Sequence, residues 1–249
     1  MSMLDDRLVL KFFAELADRY PVASGTKAVV VTHLIADRPL FIEGLSRALG
    51  ICSIIPKPKS VHPDVKNWLA NKYPIDEFSR GSLVDEQRVL RLMEERANGS
   101  PLAILDIGGY FAPTINYLAN NYSGSLLGVV EDTENGYQRY ETIPNLACPV
   151  VSVAESPLKA PEDFLVGHSI VFSVEALLRD QGDILHGRTA CVIGYGRLGS
   201  SIANLLHSRH VATVVFDTDP LKQVLAMAHG FPVARDTEAA LRGAGLAGC

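Results

Sequence analysis

The sequence predicts an α/β protein in two parts: a parallel sheet flanked by helices over residues 1–185, then a smaller α/β unit over residues 186–249. Three observations carry this. Apolar strand-like runs take turns with helical stretches along the chain. The strand cores are apolar at consecutive positions, as expected of strands covered on both faces. A glycine-rich turn, Gly194-Tyr195-Gly196-Arg197-Leu198-Gly199, directly follows an apolar strand and opens a helix.

Taken in order, residues 4–20 place Leu8, Phe12, Leu16 and Ala17 on one helical face, and Pro21 stops the helix. KAVVVTHLI (27–35) reads as a buried strand, PLFIEGLSRALG (39–50) as a helix and ICSIIP (51–56) as a second strand. Helices follow around 63–72 and 84–98, the second closing at Asn98-Gly99. PLAILDIGG is a strand entering a glycine turn, TINYLANNY a helix, SLLGVVEDT and PVVSVAES strands, and FLVGHSIVFSVEALLRDQ a long helix. From Gly187 the pattern is strand, helix, strand, helix, a short third strand at FPVA and a helical tail, TEAALRGAG. That is the first half of a Rossmann dinucleotide-binding domain. It predicts an open edge on the strand ACVIG, and hence a homo-oligomer that closes it.

Composition narrows the function classes. The chain has 249 residues, 47% of them hydrophobic and 20% charged, enough for a core without disulfides or structural metals. A net charge of −5 gives no electrostatic footprint for nucleic acid. Cys52, Cys148, Cys191 and Cys249 lack metal-ligand spacing and read as free thiols, so no metal site is expected. The charged N-terminal stretch is no signal peptide and no long apolar run exists, so a cytoplasmic protein without a membrane partner is expected.

In the glycine turn, Gly194 permits the tight bend, Gly196 admits a pyrophosphate to the backbone, and Gly199 lets helix and strand approach. The helix start, with Arg197 and Leu198, offers free N–H groups to phosphates. Asp217 ends the next strand, close to the spacing at which an acid receives the ribose hydroxyls, which favours NAD over NADP.

The blocks VVEDTENGYQRYE, PVVSVAESPLKAPEDFLVGHSIVFSVEALLR, GRTACVIGYGRLGSSIANLL and VVFDTDPLKQVLAMAHGF resemble the adenosylhomocysteinase family, in the same order and spacing. The resemblance is specific from about Leu105 to Val233 and fainter from Lys27 to Gly50. It implies NAD-dependent chemistry on a nucleoside: oxidation at the ribose 3′ carbon, then elimination, hydrolysis or a related step. It places Lys159 and Asp163 at the 3′ hydroxyl, Thr133, Glu134 and Asn135 at the cofactor, His33 on a family histidine, and Asp132 in a pair with Glu131 that helps anchor ribose. Asp163 is expected to orient Lys159.

The departures are as specific. Ile107 stands where the family has the catalytic aspartate that accepts the 4′ proton, leaving His33 or Asp132 as candidates for that task. Ile35 replaces a threonine, Phe164 an asparagine and His168 a cysteine, and Glu134-Asn135 replace two threonines. The resemblance therefore implies altered chemistry, with an impaired NAD- and nucleoside-binding module, a partner of a full-length relative, or a truncated product of a longer hydrolase as alternatives. The 2-hydroxyacid dehydrogenases share the pattern G-x-G-x-L-G after a long helix but leave EDTENG and SPLKAPEDF without explanation.

Overall fold

A computed structural model describes residues 6–248. These form two compact units, divided between Glu155 and Ser156.

The first unit is built on a five-stranded parallel sheet: β1 (Lys27–Leu34), β2 (Gly50–Val61), β3 (Leu102–Asp106), β4 (Leu126–Glu131) and β5 (Val150–Ser152). The spatial order β2-β1-β3-β4-β5 is doubly wound, with its switch point between β1 and β3. Strand alternation feeds two cores. Val29, Val31, Leu102 and Ile104 join Val89, Leu92 and Met93 of α4 (Glu86–Ala97) and Ile115 and Leu118 of α5 (Ile115–Asn121). On the other face Ala28, Val30 and Ile54 join Ile42 of α2 (Arg38–Leu45) and Val65 and Leu69 of α3 (Pro63–Ala70). Burial of both faces is why these strands are apolar at consecutive positions.

Several boundaries differ from the sequence reading. Helix α2 ends at Leu45, and Gly50 begins β2 rather than closing a helix. Strand β2 runs on to Val61 through Lys57 and Lys59. Helix α1 (Asp6–Arg19) turns Phe13, not Phe12, toward α2: Phe13 packs edge-on against Phe41 at 6.2 Å, while Leu8 and Phe12 stay exposed. A short helix, α6 (Glu134–Glu141), stands where no element is predicted. Its Thr133 N-cap accepts from Gly136 N at 3.1 Å.

The second unit opens with α7 (Lys159–Asp180), which the sequence reading assigns to the first domain. The physical reason is its packing on α8 (Arg197–Ser208): Ser201 Oγ donates to the Phe164 carbonyl at 2.8 Å, and a Cβ on Gly167 would meet that hydroxyl at 2.5 Å. The parallel sheet here has the order β7-β6-β8, from β6 (Thr189–Ile193), β7 (Ala212–Phe216) and β8 (Leu246–Gly248). FPVA contributes only an isolated bridge, Val233 to Val215, on the outer side of β7. Helices α9 (Pro220–Ala228) and α10 (Thr237–Leu241) complete the unit.

Two expectations are corrected by β8. Strand β6 pairs on both sides, with β7 and with β8, so its edge is not open. The unit also extends past the first Rossmann half, because β8 lies across the switch point from β7. The thiols of Cys52, Cys148 and Cys191 are free and buried, and burial raises all three above the ordinary cysteine value, Cys52 to about 11. Cys249 lies outside the described residues. Among the described residues, no helix is long and apolar enough to cross a membrane.

Candidate functional site

In the second unit the chemistry gathers at the carboxyl end of β6. Gly194 takes φ +93, and a Cβ on Gly199 would sit 1.9 Å from the Gly194 carbonyl oxygen. The crossing of strand and helix thus closes over a hydrogen atom. Around Gly196, by contrast, a Cβ would meet nothing within 4 Å. The backbone there is open to a ligand, at the N-terminus of a twelve-residue helix whose first N–H groups attract negative charge.

Asp217, 7% exposed at the end of β7, accepts from Tyr195 N at 2.5 Å and Asp219 N at 2.8 Å. Burial pushes its carboxyl up, yet these backbone donors outweigh it and hold the group below its ordinary value. It is therefore an anion at neutral pH with lone pairs left over on both oxygens. Arg197, the first residue of α8, pairs with Asp163 at 3.1 Å. Lys159 pairs with Glu162 at 2.9 Å, and the Asp163 carboxylate ties the first turn of α7 to the glycine turn through Arg197. Leu198 packs against the core of this unit.

In the first unit the carboxyl ends of β1, β3 and β4 hold the remaining candidates. Glu131 is fully buried, and its oxygens accept from Gly108 N at 2.8 Å, Gly109 N at 2.9 Å, Thr133 N at 2.8 Å and Thr133 Oγ1 at 2.7 Å. Of the Glu131-Asp132 pair, Glu131 is thus engaged by the turn and by Thr133, while Asp132 beside it is half-buried. Thr133 is likewise occupied by Glu131 and by its capping bond, while Glu134 and Asn135 are exposed on the first turn of α6.

Beside Glu131, Asp106 accepts from Phe111 N at 3.0 Å and Tyr140 Oη at 2.6 Å through Oδ2, while its buried Oδ1 has no partner among the described residues. Burial lifts its pKa to about 6 against the opposing pull of those donors. Ile107 follows, half-buried, with its carbonyl accepting from Lys57 Nζ at 3.1 Å. His33 at the end of β1 is held below the ordinary histidine value, first by burial and then by Lys57 and Arg38, so it is neutral at pH 7.

Nothing in the sequence marks Lys57 or Arg80, which the structure brings to this same turn: Lys57 sits in a lysine- and proline-rich tail, and Arg80 in a 3₁₀ turn between helices. A cavity of about 600 Å³ is lined by Pro56, Pro58, Phe78 and Arg88 among others, and none of the predicted site residues lines it.

No family model matches this chain. An adenosylhomocysteinase of Thermotoga maritima is 27% identical over 235 residues, covering 90% of this chain and 56% of that protein. One of Aquifex aeolicus is 26% identical over 245 residues, covering 96% of this chain and 57% of that protein. The chain thus spans a little over half the length of each of these two relatives. Among solved structures, a phosphoglycerate oxidoreductase from Vibrio cholerae aligns with 89% of this chain and 65% of its own, at 14% identity and a TM-score of 0.46. A D-lactate dehydrogenase from Escherichia coli aligns with 89% of this chain and 65% of its own, at 14% identity and a TM-score of 0.42.

Proposed function

We propose that this chain is an adenosylhomocysteinase-like protein that holds NAD on its second unit and acts on a nucleoside-type small molecule with altered chemistry. The observation that carries the reading is the turn 194–199. Its last glycine touches the Gly194 carbonyl, its middle glycine is open, and an ionised Asp217 stands beside it. Those features fit a dinucleotide: Gly196 and the start of α8 would hold the pyrophosphate, and Asp217 the ribose hydroxyls of the adenosine half. A 2′ phosphate would meet the Asp217 charge, hence NAD rather than NADP. Bound NAD supplies the hydride acceptor for a ribose 3′ carbon.

The protein's own residues then have separate tasks. Lys159 is the base at the 3′ hydroxyl, with Glu162 as its carboxylate neighbour. Asp163 sets the position of Arg197 and so of the cofactor turn. Isoleucine has no atom that can take the 4′ proton at position 107, so that duty passes to His33, whose neutral ring is a competent acceptor, or to Asp132. The same Ile107 favours a second reading, a module that binds NAD and a nucleoside without completing the reaction. The exposed apolar side chains Leu165, Phe172 and Leu177 of α7 support a homo-oligomer, which sedimentation velocity checks.

The deciding experiment mixes the protein with NAD⁺ and adenosine-type nucleosides and follows NADH absorbance, with Lys159→Met as control. A rise that the variant abolishes supports the enzyme. Calorimetric NAD binding without any rise favours the binding module, and no NAD binding at all removes both readings.

A further inference from the structure

We propose that the carboxyl end of the first sheet is an anion site, in which Lys57 and Arg80 take a phosphate or carboxylate group carried by a small molecule. The two cations arrive from different elements. Lys57, half-buried in the tail of β2, donates to the Ile107 carbonyl at 3.1 Å. Arg80, exposed on the 3₁₀ turn, donates through Nη2 to the Gly108 carbonyl at 2.7 Å. Both heads converge on one glycine: a Cβ on Gly108 would lie 2.8 Å from Arg80 Nη2 and 3.6 Å from Lys57 Nζ. Tyr110 underlies the pair, with its ring centre 4.8 Å from the Arg80 guanidinium carbon and 5.7 Å from Lys57 Nζ.

The partners of these cations among the described residues are two carbonyls and a ring face, none of which bears a full negative charge. The carboxylates behind them are engaged elsewhere. Glu131 spends both oxygens on Gly108, Gly109 and Thr133, and Asp106 spends Oδ2 on Phe111 and Tyr140. Capping two strand-end carbonyls needs two neutral donors, not two like charges beside one glycine. A lysine has three donors and an arginine five, and each here gives one to a carbonyl. The remaining donors suit an oxyanion, which also relieves the repulsion between the cations. Burial and the Arg80 charge both hold Lys57 below its ordinary value, with Asp106, Glu131 and Asp132 opposing.

Position supports the assignment. The turn lies outside the carboxyl ends of β1 and β3, the switch point of the sheet, where open α/β sheets bind ligands. This inference rests on the first unit alone, so it goes beyond the dinucleotide reading and survives that reading's failure. It does refine the substrate class, to an anionic small molecule.

The test is an amide NMR titration of the whole chain with sodium phosphate and, separately, sodium acetate, at ionic strength held constant with sodium chloride. The Gly108 and Gly109 amides are expected to shift saturably, with phosphate and acetate distinguishing the two anion classes by affinity. Lys57→Met and Arg80→Met should each weaken binding by about tenfold or more, the loss typical of a charge-assisted hydrogen bond. Lys57→Arg should retain it. If Lys57→Met fails to fold, Arg80→Met decides, since Arg80 is exposed. Unshifted glycine amides with both anions, or equal affinity in the Arg80→Met variant, would overturn the proposal.

Discussion

Replacing Gly199 and Gly196 separately by alanine divides the glycine turn into a part that builds the fold and a part that meets a ligand. At Gly199 the new Cβ falls 1.9 Å from the Gly194 carbonyl oxygen, a backbone atom that cannot swing aside. Ordinary contact is more than an ångström longer, so α8 must lift from the end of β6. Overpacking of this kind costs about 3 kcal/mol. Alanine's better helix propensity at the third residue of α8 returns about 1 kcal/mol, leaving a net loss of about 2 kcal/mol. For a unit of this size that lowers Tm by roughly 8–16 °C. At Gly196, φ −75 and ψ −166 suit any residue and the Cβ meets nothing within 4 Å, so stability should be unchanged. Dinucleotide affinity should nevertheless fall by about tenfold, or 1.4 kcal/mol, because the methyl occupies the space a pyrophosphate needs. Thermal melts followed by differential scanning calorimetry and NAD titration by isothermal calorimetry read the two effects. A Gly199→Ala protein as stable as the wild type would refute the close crossing, and undiminished NAD binding by Gly196→Ala would refute the assignment of that space to a cofactor.

Asp106 makes stability depend on acidity in an unusual direction. Its folded pKa of about 6 lies above the ordinary value of 3.8, so the native state keeps a proton that the unfolded chain releases. The stabilisation is complete below about pH 4 and is lost as pH rises through about 6, an effect on the order of 2–3 kcal/mol that urea melts across this range should show and Asp106→Asn should flatten. Tyr140→Phe removes the 2.6 Å bond to Asp106; it should cost about 1–2 kcal/mol and move the same inflection to higher pH. Asp217→Ala should weaken NAD and narrow its advantage over NADP, as competitive titration would reveal. Because the Asp217 carboxyl lies below its ordinary value, its contribution to stability is present above that value and disappears as pH falls through the folded pKa, a slope the variant should lack.

The legible parts of this protein are those in which one short run of sequence carries the whole physical requirement. The strands of residues 27–34 and 102–106 declare themselves because both faces are buried, and the 194–199 turn because Gly194 takes a positive φ and Gly199 a close backbone crossing. Other features depend on distant partners. Strand β8 is only Leu246–Gly248, with no strand-forming run, and exists by pairing with β6. Helix α6 buries just Gly136 and Tyr140, too little for an apolar stripe. The assignment of α7 turns on Gly167 meeting Ser201 on the next helix, whereas its many apolar residues point to no single neighbour. At the sites, Lys159 and Asp163 are close in sequence, yet the ion pair that engages Asp163 comes from Arg197. The convergence of Lys57 and Arg80 on Gly108 joins segments with no common pattern, and only the folded sheet end brings them together.

The way Glu131 holds its turn bears on how this protein can change over generations. Its carboxylate carries the backbone of Gly108 and Gly109, and Asp106 carries that of Phe111, so the turn keeps its shape without help from the side chain between them. Residue 107 contributes a carbonyl to Lys57, which any amino acid supplies equally well. The position is in effect a socket. A side chain of another kind at 107 would leave every one of these backbone bonds in place. The shape of the turn and the identity of its side chain are thereby uncoupled at a single residue.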